Sequence, residues 1–487
     1  MNRSIRHLAI VILAVLGLMS GWMTWLQVIV GPDFRDDPRN VRVAAALAAK
    51  ERGPIITADG VVIAQSTADP DDRRVFRRTY PEGDLYSHVV GYSTLLFGDR
   101  GLEAGAAEIL SSGQDSTISS VFTALTGGDL APKGLRLTID HDLQAAAAAA
   151  LGDQPGAVVV LDASTGAVLA MVSSPTFDPN ELLGGQAGTS GTALEADPLE
   201  PLLNRATAAT YPPGSTFKVI TAAAALETGV AGTATAYDDV IALELPTSTA
   251  VIRNFNRRTC GDGTTVTLQE AFIKSCNTTF GAIGLDLGAE ALVAGAEGFG
   301  FNLEVPFDFD VEPSAIPGPV SFLNDVPGIA QSAIGQRDVR ATPLGMALTA
   351  AAVANDGVIM VPYIVDAVFE VDGDVTEITA PATWQRAMSP ATAGQLAELM
   401  EQVVTSGTGR GAAVPGARIG GKTGTAEVPD ESPHAWFIGF GPIQADETPP
   451  IAIAVVVENG GDFGESATGG AVAAPIAQAV FAAWIAG

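Results

Sequence analysis

The chain has 487 residues, 47% of them hydrophobic, so it can form several domains and is too apolar to be disordered. Its 26 basic and 55 acidic residues give a net charge of −29, which repels phosphate backbones and argues against nucleic-acid binding. Only five residues are lysine, and each is a candidate for chemistry that arginine cannot perform.

The first predicted element is a transmembrane anchor at residues 8–30. This segment contains no charged side chain over 23 positions, which is enough to cross a bilayer as one helix. Arg3 and Arg6 precede it and predict that residues 1–7 form a cytoplasmic tail. A cleaved signal peptide is the alternative, but the apolar run is long and no small-residue cleavage site follows it. Under both interpretations the rest of the chain lies outside the cytoplasm.

Residues 31–132 are predicted to form a small mixed domain that acts as a pedestal or binds a partner. The stretch 53–66 predicts a hairpin that turns at Asp59 and Gly60. No group of catalytic residue types occurs in this region, which is too short for an independent enzyme.

Residues 133–487 are predicted to form one α+β domain. The sequence predicts a helix closed by Gly152, a hairpin over 156–175 and a loop over 184–200. An apolar strand and a helix are expected at the C-terminus. Because strands occur at both ends of a helical middle, the two ends of the domain are expected to share a sheet.

The segment "YPPGSTFKV" contains the first candidate motif, Ser215-x-x-Lys218. Ser215 is expected to open a helix that ends near Gly229, so Lys218 lies one turn away on the same face. A serine hydroxyl needs a base, and a lysine can be that base if burial or cationic neighbours lower its pKa. The motif alone also fits an ordinary capping serine.

Two further motifs follow in the sequence. In "KSCNTTF", Ser275 and Asn277 are two apart, so an extended loop would direct both side chains to one side, to relay a proton and hold a carbonyl. In "GGKTGTAEV", a strand is expected to present Lys422, Thr423 and Thr425 to a substrate carboxylate, while Gly424 leaves room for the substrate.

The stretch 416–423 also satisfies the phosphate-loop pattern G-x-x-x-x-G-K-[ST]. Such a loop must open a helix, whereas Gly424, Pro429 and Pro433 follow here. A segment outside the cytoplasm also meets little nucleotide. We therefore favour the serine acyltransferase interpretation.

The order S-x-x-K, S-x-N, K-T-G is more specific than any one motif. With "HAWFIGFGP", "LNRAT", "IGQRDVRATPLGMALTAAAVANDG", "RGPIITADG" and "GLEAG", it makes the chain resemble a class B penicillin-binding protein of the actinobacterial penicillin-binding protein A type. The resemblance covers nearly the whole chain. It implies an antiparallel sheet flanked by helices, as in serine β-lactamases, for the transpeptidase domain.

The resemblance also implies the reaction. Ser215 would be acylated by the D-alanyl-D-alanine end of a peptidoglycan stem peptide, and an amine of a neighbouring peptide would take the acyl group. Lys218 would be the base, Ser275 the proton relay and Asn277 the carbonyl ligand. Lys422, Thr423 and Thr425 would hold the terminal carboxylate, and the N–H groups of Ser215 and Thr425 would form the oxyanion hole. β-Lactams would acylate the same serine, and a membrane glycan polymerase is the implied partner.

Cys260 and Cys276 are the only cysteines, and an oxidising compartment favours a disulfide between them over two buried thiols. The four histidines show no metal-ligand spacing, so neither a metal nor another cofactor is expected. Two other functions share these motifs: a membrane-anchored serine β-lactamase or D,D-carboxypeptidase, and a non-catalytic scaffold or sensor that binds β-lactams.

Overall fold

A computed structural model describes residues 2–30, 51–72, 75–94, 96–111, 132–370, 372–443 and 451–486. The first part of the predicted pedestal, residues 31–50, lies outside the described residues.

Helices of the described residues are numbered in chain order. They are α1 (Asn2–Trp25), α2 (Ser87–Val90), α3 (Leu102–Gly105), α4 (Ala107–Leu110), α5 (His141–Leu151), α6 (Ala187–Ala196), α7 (Lys218–Thr228), α8 (Leu268–Lys274), α9 (Asn277–Gly298), α10 (Val326–Ser332), α11 (Pro343–Ala354), α12 (Pro390–Thr405) and α13 (Ala473–Ala486).

Strands are numbered in the same way. They are β1 (Ile55–Ile56), β2 (Val62–Ala68), β3 (Phe76–Thr79), β4 (Tyr92–Thr94), β5 (Gly98–Arg100), β6 (Gly134–Leu137), β7 (Gly156–Asp162), β8 (Val168–Ser174), β9 (Ala236–Asp238), β10 (Ala242–Glu244), β11 (Val251–Arg253), β12 (Thr265–Thr267), β13 (Val358–Met360), β14 (Val365–Phe369), β15 (Val375–Ile378), β16 (Thr383–Arg386), β17 (Gly420–Val428), β18 (Glu431–Gly441) and β19 (Ile451–Val457).

Helix α1 carries the predicted membrane segment and continues as a π-helix over Leu26–Val30. Its apolar side chains are exposed, and Ile5–Trp25 is long and apolar enough to cross a membrane. Among the described residues α9 also passes that test, but half of its apolar window is buried inside the protein. A core helix of a folded domain has this property, so of these two helices in the described part of the chain α1 is the one that is free to enter a bilayer.

The larger domain is built on a five-stranded antiparallel sheet in the order β17-β18-β19-β7-β8. Both faces of the sheet are covered. Along β7, Val158 and Val160 point into a core with α5 and α13, whereas Val159 and Leu161 point into a core with α11. Because β19 pairs with β7, the two ends of the domain share this sheet, which confirms the predicted α+β arrangement.

A six-stranded sheet in the order β15-β14-β6-β1-β2-β3 joins the smaller N-terminal module to the larger domain. Strand β6 pairs in parallel with β1 and antiparallel with β14, so strands from both sides of residue 132 share this sheet. The β1–β2 hairpin at Asp59 and Gly60 confirms the turn expected from the sequence.

Helix α5 with Gly152 after it and the β7–β8 hairpin also confirm the sequence analysis. The loop expected over 184–200 is wrong, because α6 forms there. The sequence of α6 contains two glycines and has low helix propensity. Packing overrides that propensity, because the helix lies against the Phe97 ring of the N-terminal module at buried Gly191. The contact is so close that a Cβ at Gly191 would lie 2.1 Å from the ring.

Candidate active site

Ser215 lies in a 3-10 turn, Gly214–Phe217, that leads directly into α7. The helix is buried along most of its length and ends at Gly229, which adopts the left-handed conformation expected of a C-cap. The helix expected from the sequence is therefore confirmed, and its first turn is tighter than expected. Lys218 begins α7 and is completely buried, one turn from the serine.

The Lys218 amine is bound by the second motif. Its Nζ lies 2.7 Å from Asn277 Oδ1, 2.8 Å from the Ser275 carbonyl oxygen and 3.4 Å from Ser275 Oγ. Burial, and secondarily the charge of Lys422, holds the pKa of Lys218 well below the ordinary lysine value. A neutral amine has two N–H groups and one lone pair, so the two short contacts use its donors and leave the lone pair to accept a proton.

The second motif is a tight turn between two helices, and the extended loop expected from the sequence is wrong. Ser275 ends α8 with φ of 62°, Cys276 is extended, and Asn277 begins α9. The turn nevertheless brings Ser275 and Asn277 to the same amine. A disulfide joins Cys276 to Cys260, with their Cα atoms 6.1 Å apart.

The third motif lies on β17, the edge strand beside β18, as the sequence predicts. Lys422 is fully buried, with Nζ 2.9 Å from Ser275 Oγ and 3.1 Å from the Thr423 carbonyl oxygen. Burial lowers the pKa of Lys422 to about 7. The Ser275 hydroxyl therefore lies between two amines whose charge is disfavoured, which suits the transfer of a proton between them.

Gly424 lies where the serine turn packs against β17. A Cβ there would lie 2.8 Å from the Pro213 carbonyl oxygen and 3.0 Å from Thr216 Cγ2, so the serine turn occupies the space. The Trp436 indole N–H also donates to the Pro212 carbonyl at 3.1 Å. The absence of a side chain at Gly424 lets the serine turn approach β17, and room for substrate along this strand stays a prediction.

The motifs open onto a cleft of about 1140 Å³. The residues of the motifs that line it are Ser215, Ser275, Asn277, Thr423 and Thr425. Lys218 and Lys422 lie beneath this surface. Within the described residues, the Ser215 hydroxyl forms no hydrogen bond. It is therefore available to a ligand in the cleft.

Two supporting residues were missed by the sequence analysis. Buried Asn254 accepts hydrogen bonds through Oδ1 from the backbone N–H groups of Asn277 at 2.8 Å and Thr278 at 3.2 Å. Thr408 Oγ1 lies 2.6 Å from Thr423 Oγ1. Neither belongs to a recognisable motif, and Asn254 is 23 residues from its partner, so no local pattern could have identified them.

The serine turn, the two buried amines and the antiparallel sheet define a serine acyltransferase of the penicillin-binding class. The family model "Penicillin binding protein transpeptidase domain" matches residues 156–482, and "Penicillin binding protein A dimerisation domain" matches residues 52–134. The chain therefore belongs to the penicillin-binding protein transpeptidase family.

Particular relatives match over full length. The chain is 42% identical to the peptidoglycan D,D-transpeptidase PbpA of Mycolicibacterium smegmatis, over 99% of each chain, and 40% identical to that of Mycobacterium tuberculosis, over 100% of each. Penicillin-binding protein A from M. tuberculosis, solved as a ceftriaxone acyl-enzyme complex, is 40% identical with a TM-score of 0.82, covering 90% of this chain and 98% of that one. PBP2 of Pseudomonas aeruginosa is 32% identical with a TM-score of 0.74, covering 89% and 95%.

Proposed function

We propose that this chain is a peptidoglycan D,D-transpeptidase that forms a serine acyl-enzyme on D-Ala-D-Ala stem peptides and is inhibited by β-lactams through the same serine. One observation carries the proposal: the side chains of Lys218, Ser275, Asn277 and Lys422 form one hydrogen-bonded group one turn from Ser215.

In the first half of the reaction, Lys218 takes the proton of Ser215 Oγ, which attacks the carbonyl carbon between the two D-alanines. The backbone N–H groups of Ser215 and Thr425 stabilise the oxyanion. The bond to the terminal D-alanine then breaks. The amino group of that D-alanine receives a proton relayed through Ser275, and free D-alanine leaves. The lone pair left on the Lys218 amine and the lowered pKa of that group support its role as base.

In the second half, the amine of a neighbouring stem peptide attacks the ester, and its proton passes to Ser215 Oγ as the ester bond breaks, which completes the cross-link. Asn277 holds the carbonyl of the donor peptide. Thr423 and Thr425, which line the cleft, bind the terminal carboxylate. Lys422 supports this binding from beneath, through Ser275 and Thr423.

We also propose that residues 8–30 anchor the protein by a single span, with residues 1–7 cytoplasmic and the catalytic domain outside. The exposed apolar helix and the Cys260–Cys276 disulfide support this orientation. Residues 31–132 then form a pedestal that binds partners, and residues 133–487 form the transpeptidase domain. A membrane glycan polymerase supplies the strands that are cross-linked.

The test is a reaction of the detergent-solubilised full chain with nascent glycan strands made by a purified polymerase. We expect cross-linked peptide dimers together with equimolar D-alanine, and neither product from Ser215→Ala. D-Alanine without dimers would identify a carboxypeptidase. Hydrolysis of benzylpenicillin within seconds would identify a β-lactamase. Absence of D-alanine, dimers and penicillin hydrolysis, with penicillin still bound, would identify a scaffold or sensor.

A further inference from the structure

One wall of the catalytic cleft is unusually basic for this acidic chain. Strand β11 and the turn that follows it, residues 254–259, form this wall and contribute Arg253 and Arg257 to the lining. Lys274 and Arg337 also line the cleft, whereas Glu427 is its one acidic lining residue among the described part of the chain. The local excess of positive charge contrasts with a net charge of −29 and attracts anions to the cleft.

Two of these four cations already have partners. Arg337 forms ion pairs with Asp325 and Asp338, and the Lys274 amine donates to the Cys260 carbonyl at 2.7 Å. Within the described residues, neither the Arg253 nor the Arg257 guanidinium has an acidic or hydrogen-bonding partner, and both are exposed. These two guanidiniums are available to a ligand.

The turn that presents them is held in a defined conformation. Arg257 has φ of 55°, which is uncommon for a residue with a side chain and persists where neighbours enforce it. Its N–H donates to the Asn254 carbonyl at 2.9 Å, and the Asn254 side-chain amide donates to the Arg258 carbonyl at 2.9 Å. Asn254 Oδ1 accepts from the N–H of Asn277, so one buried side chain ties the turn to the second motif.

The position of the wall indicates which part of a substrate it meets. The Arg253 carbonyl accepts a hydrogen bond from the Asn277 side-chain amide at 3.0 Å. Under the proposed function, Asn277 holds the carbonyl of the donor peptide, and Thr423 and Thr425 bind its terminal carboxylate. The wall therefore borders the part of the donor peptide that Asn277 holds.

We propose that Arg253 and Arg257 bind a second carboxylate of the acyl donor, carried by the residue before D-alanyl-D-alanine. A planar guanidinium binds a carboxylate through paired hydrogen bonds, and two of them can enclose it. The enzyme then selects acidic donor peptides over their amidated or uncharged equivalents. This inference rests on the proposed function and adds its donor specificity.

The test uses two penicillins that differ by one carboxylate: carbenicillin, which carries it on the side chain, and benzylpenicillin, which lacks it. The second-order rate constant of acylation is measured for each with the full-length protein. We expect the ratio of carbenicillin to benzylpenicillin to fall about fivefold in the Arg253→Gln/Arg257→Gln variant. The ratio for each single variant should lie between those of the wild type and the double variant. Raising the salt concentration should lower the wild-type ratio.

Arg258→Gln is the matched control, because Arg258 is exposed in the same turn but does not line the cleft. It should keep the wild-type ratio. An unchanged ratio in the double variant, or an equal fall in Arg258→Gln, would overturn the inference. Failure of benzylpenicillin to acylate the wild-type protein, or equal acylation of Ser215→Ala, would instead count against the proposed function.

Discussion

Two buried amines dominate the chemistry at the scale of single residues. Lys218 and Lys422 both lie within hydrogen-bonding distance of Ser275 Oγ, at 3.4 and 2.9 Å. Lys218 Nζ lies 5.5 Å from the centre of the Phe280 ring, and Lys422 Nζ lies 5.8 Å from the centre of the Phe272 ring. The aromatic rings exclude water from both amines, and this desolvation disfavours a positive charge there. The cation–π attraction of the ring faces favours the charge, but by less.

The lowered pKa of Lys218 predicts the pH dependence of acylation. Only the neutral amine accepts the serine proton, so acylation by penicillin should fall at acid pH and reach its maximum well below the ordinary lysine pKa of 10.5. A lysine with its ordinary pKa of 10.5 would give a rate that rises to pH 10, which would contradict this role. Lys218→Met should lose about 10³-fold in the acylation rate at the wild-type pH maximum, and the loss should shrink at acid pH, where Lys218 is protonated in the wild type. Stopped-flow kinetics with a fluorescent penicillin measures both effects.

Gly424 gives a second prediction at this scale. In Gly424→Ala the new methyl group meets the Pro213 carbonyl and displaces the serine turn, so acylation should fall by about 10²-fold. Gly394→Ala is the control, because among the described residues no atom outside the local helix backbone lies within 4 Å of a Cβ at this position in α12. It should acylate normally and be slightly more stable. Normal acylation by Gly424→Ala would show that the turn does not depend on this close approach.

At the scale of elements, a buried ion cluster holds the N-terminal module together. Glu103 on α3 is fully buried, with Oε1 2.6 Å from Arg78 Nε and Oε2 2.8 Å from Arg52 Nε. The Tyr80 hydroxyl lies 3.3 Å from the same carboxylate. Arg52 and Glu103 belong to "RGPIITADG" and "GLEAG", which the sequence analysis quoted without a role, and the cluster explains why these residue types occur there.

Removing the carboxylate should leave the buried Arg78 guanidinium without a counter-ion, whereas Arg52 keeps its ion pair with Asp99 at 3.1 Å. Glu103→Ala is therefore expected to lower the free energy of unfolding by about 3–5 kcal/mol. Glu401→Ala removes a carboxylate that binds Arg418 at 2.6 Å on the surface and should cost less than about 1 kcal/mol. Urea unfolding of the full chain compares the two variants, and equal losses would contradict a special role for the buried cluster.

The elements also show where sequence reasoning succeeds and fails. Glycine at the helix ends was enough to locate α5 and α7, and the glycine and prolines that follow Lys422 argued against a helix there and favoured the strand β17. The turn at Ser275 and the helix α6 could not be predicted, because both depend on distant contacts: α6 on Phe97, and the Ser275 turn on Asn254 and the disulfide. The motif spacing predicted which side chains meet, but not that Gly424 accommodates the protein's own backbone.

At the scale of the whole molecule, a mixed sheet connects the N-terminal module to the catalytic domain. Strand β6 is hydrogen bonded to β1 on one side and β14 on the other. The Asp308 carboxylate, on the large domain, accepts from the N–H groups of Ile364 at 2.6 Å and Val365 at 3.1 Å, at the start of β14. Its backbone carbonyl also packs against Gly105 of the module. The module and the domain are therefore expected to unfold together.

The most direct test of the account is labelling of the full-length protein with fluorescent penicillin, followed by denaturing electrophoresis. The account predicts a stable labelled band for the wild type and for Ser406→Ala, a serine that lines the same cleft, and no band for Ser215→Ala. Equal labelling of Ser215→Ala and wild type would contradict the claim that the hydroxyl beside Lys218 is the nucleophile.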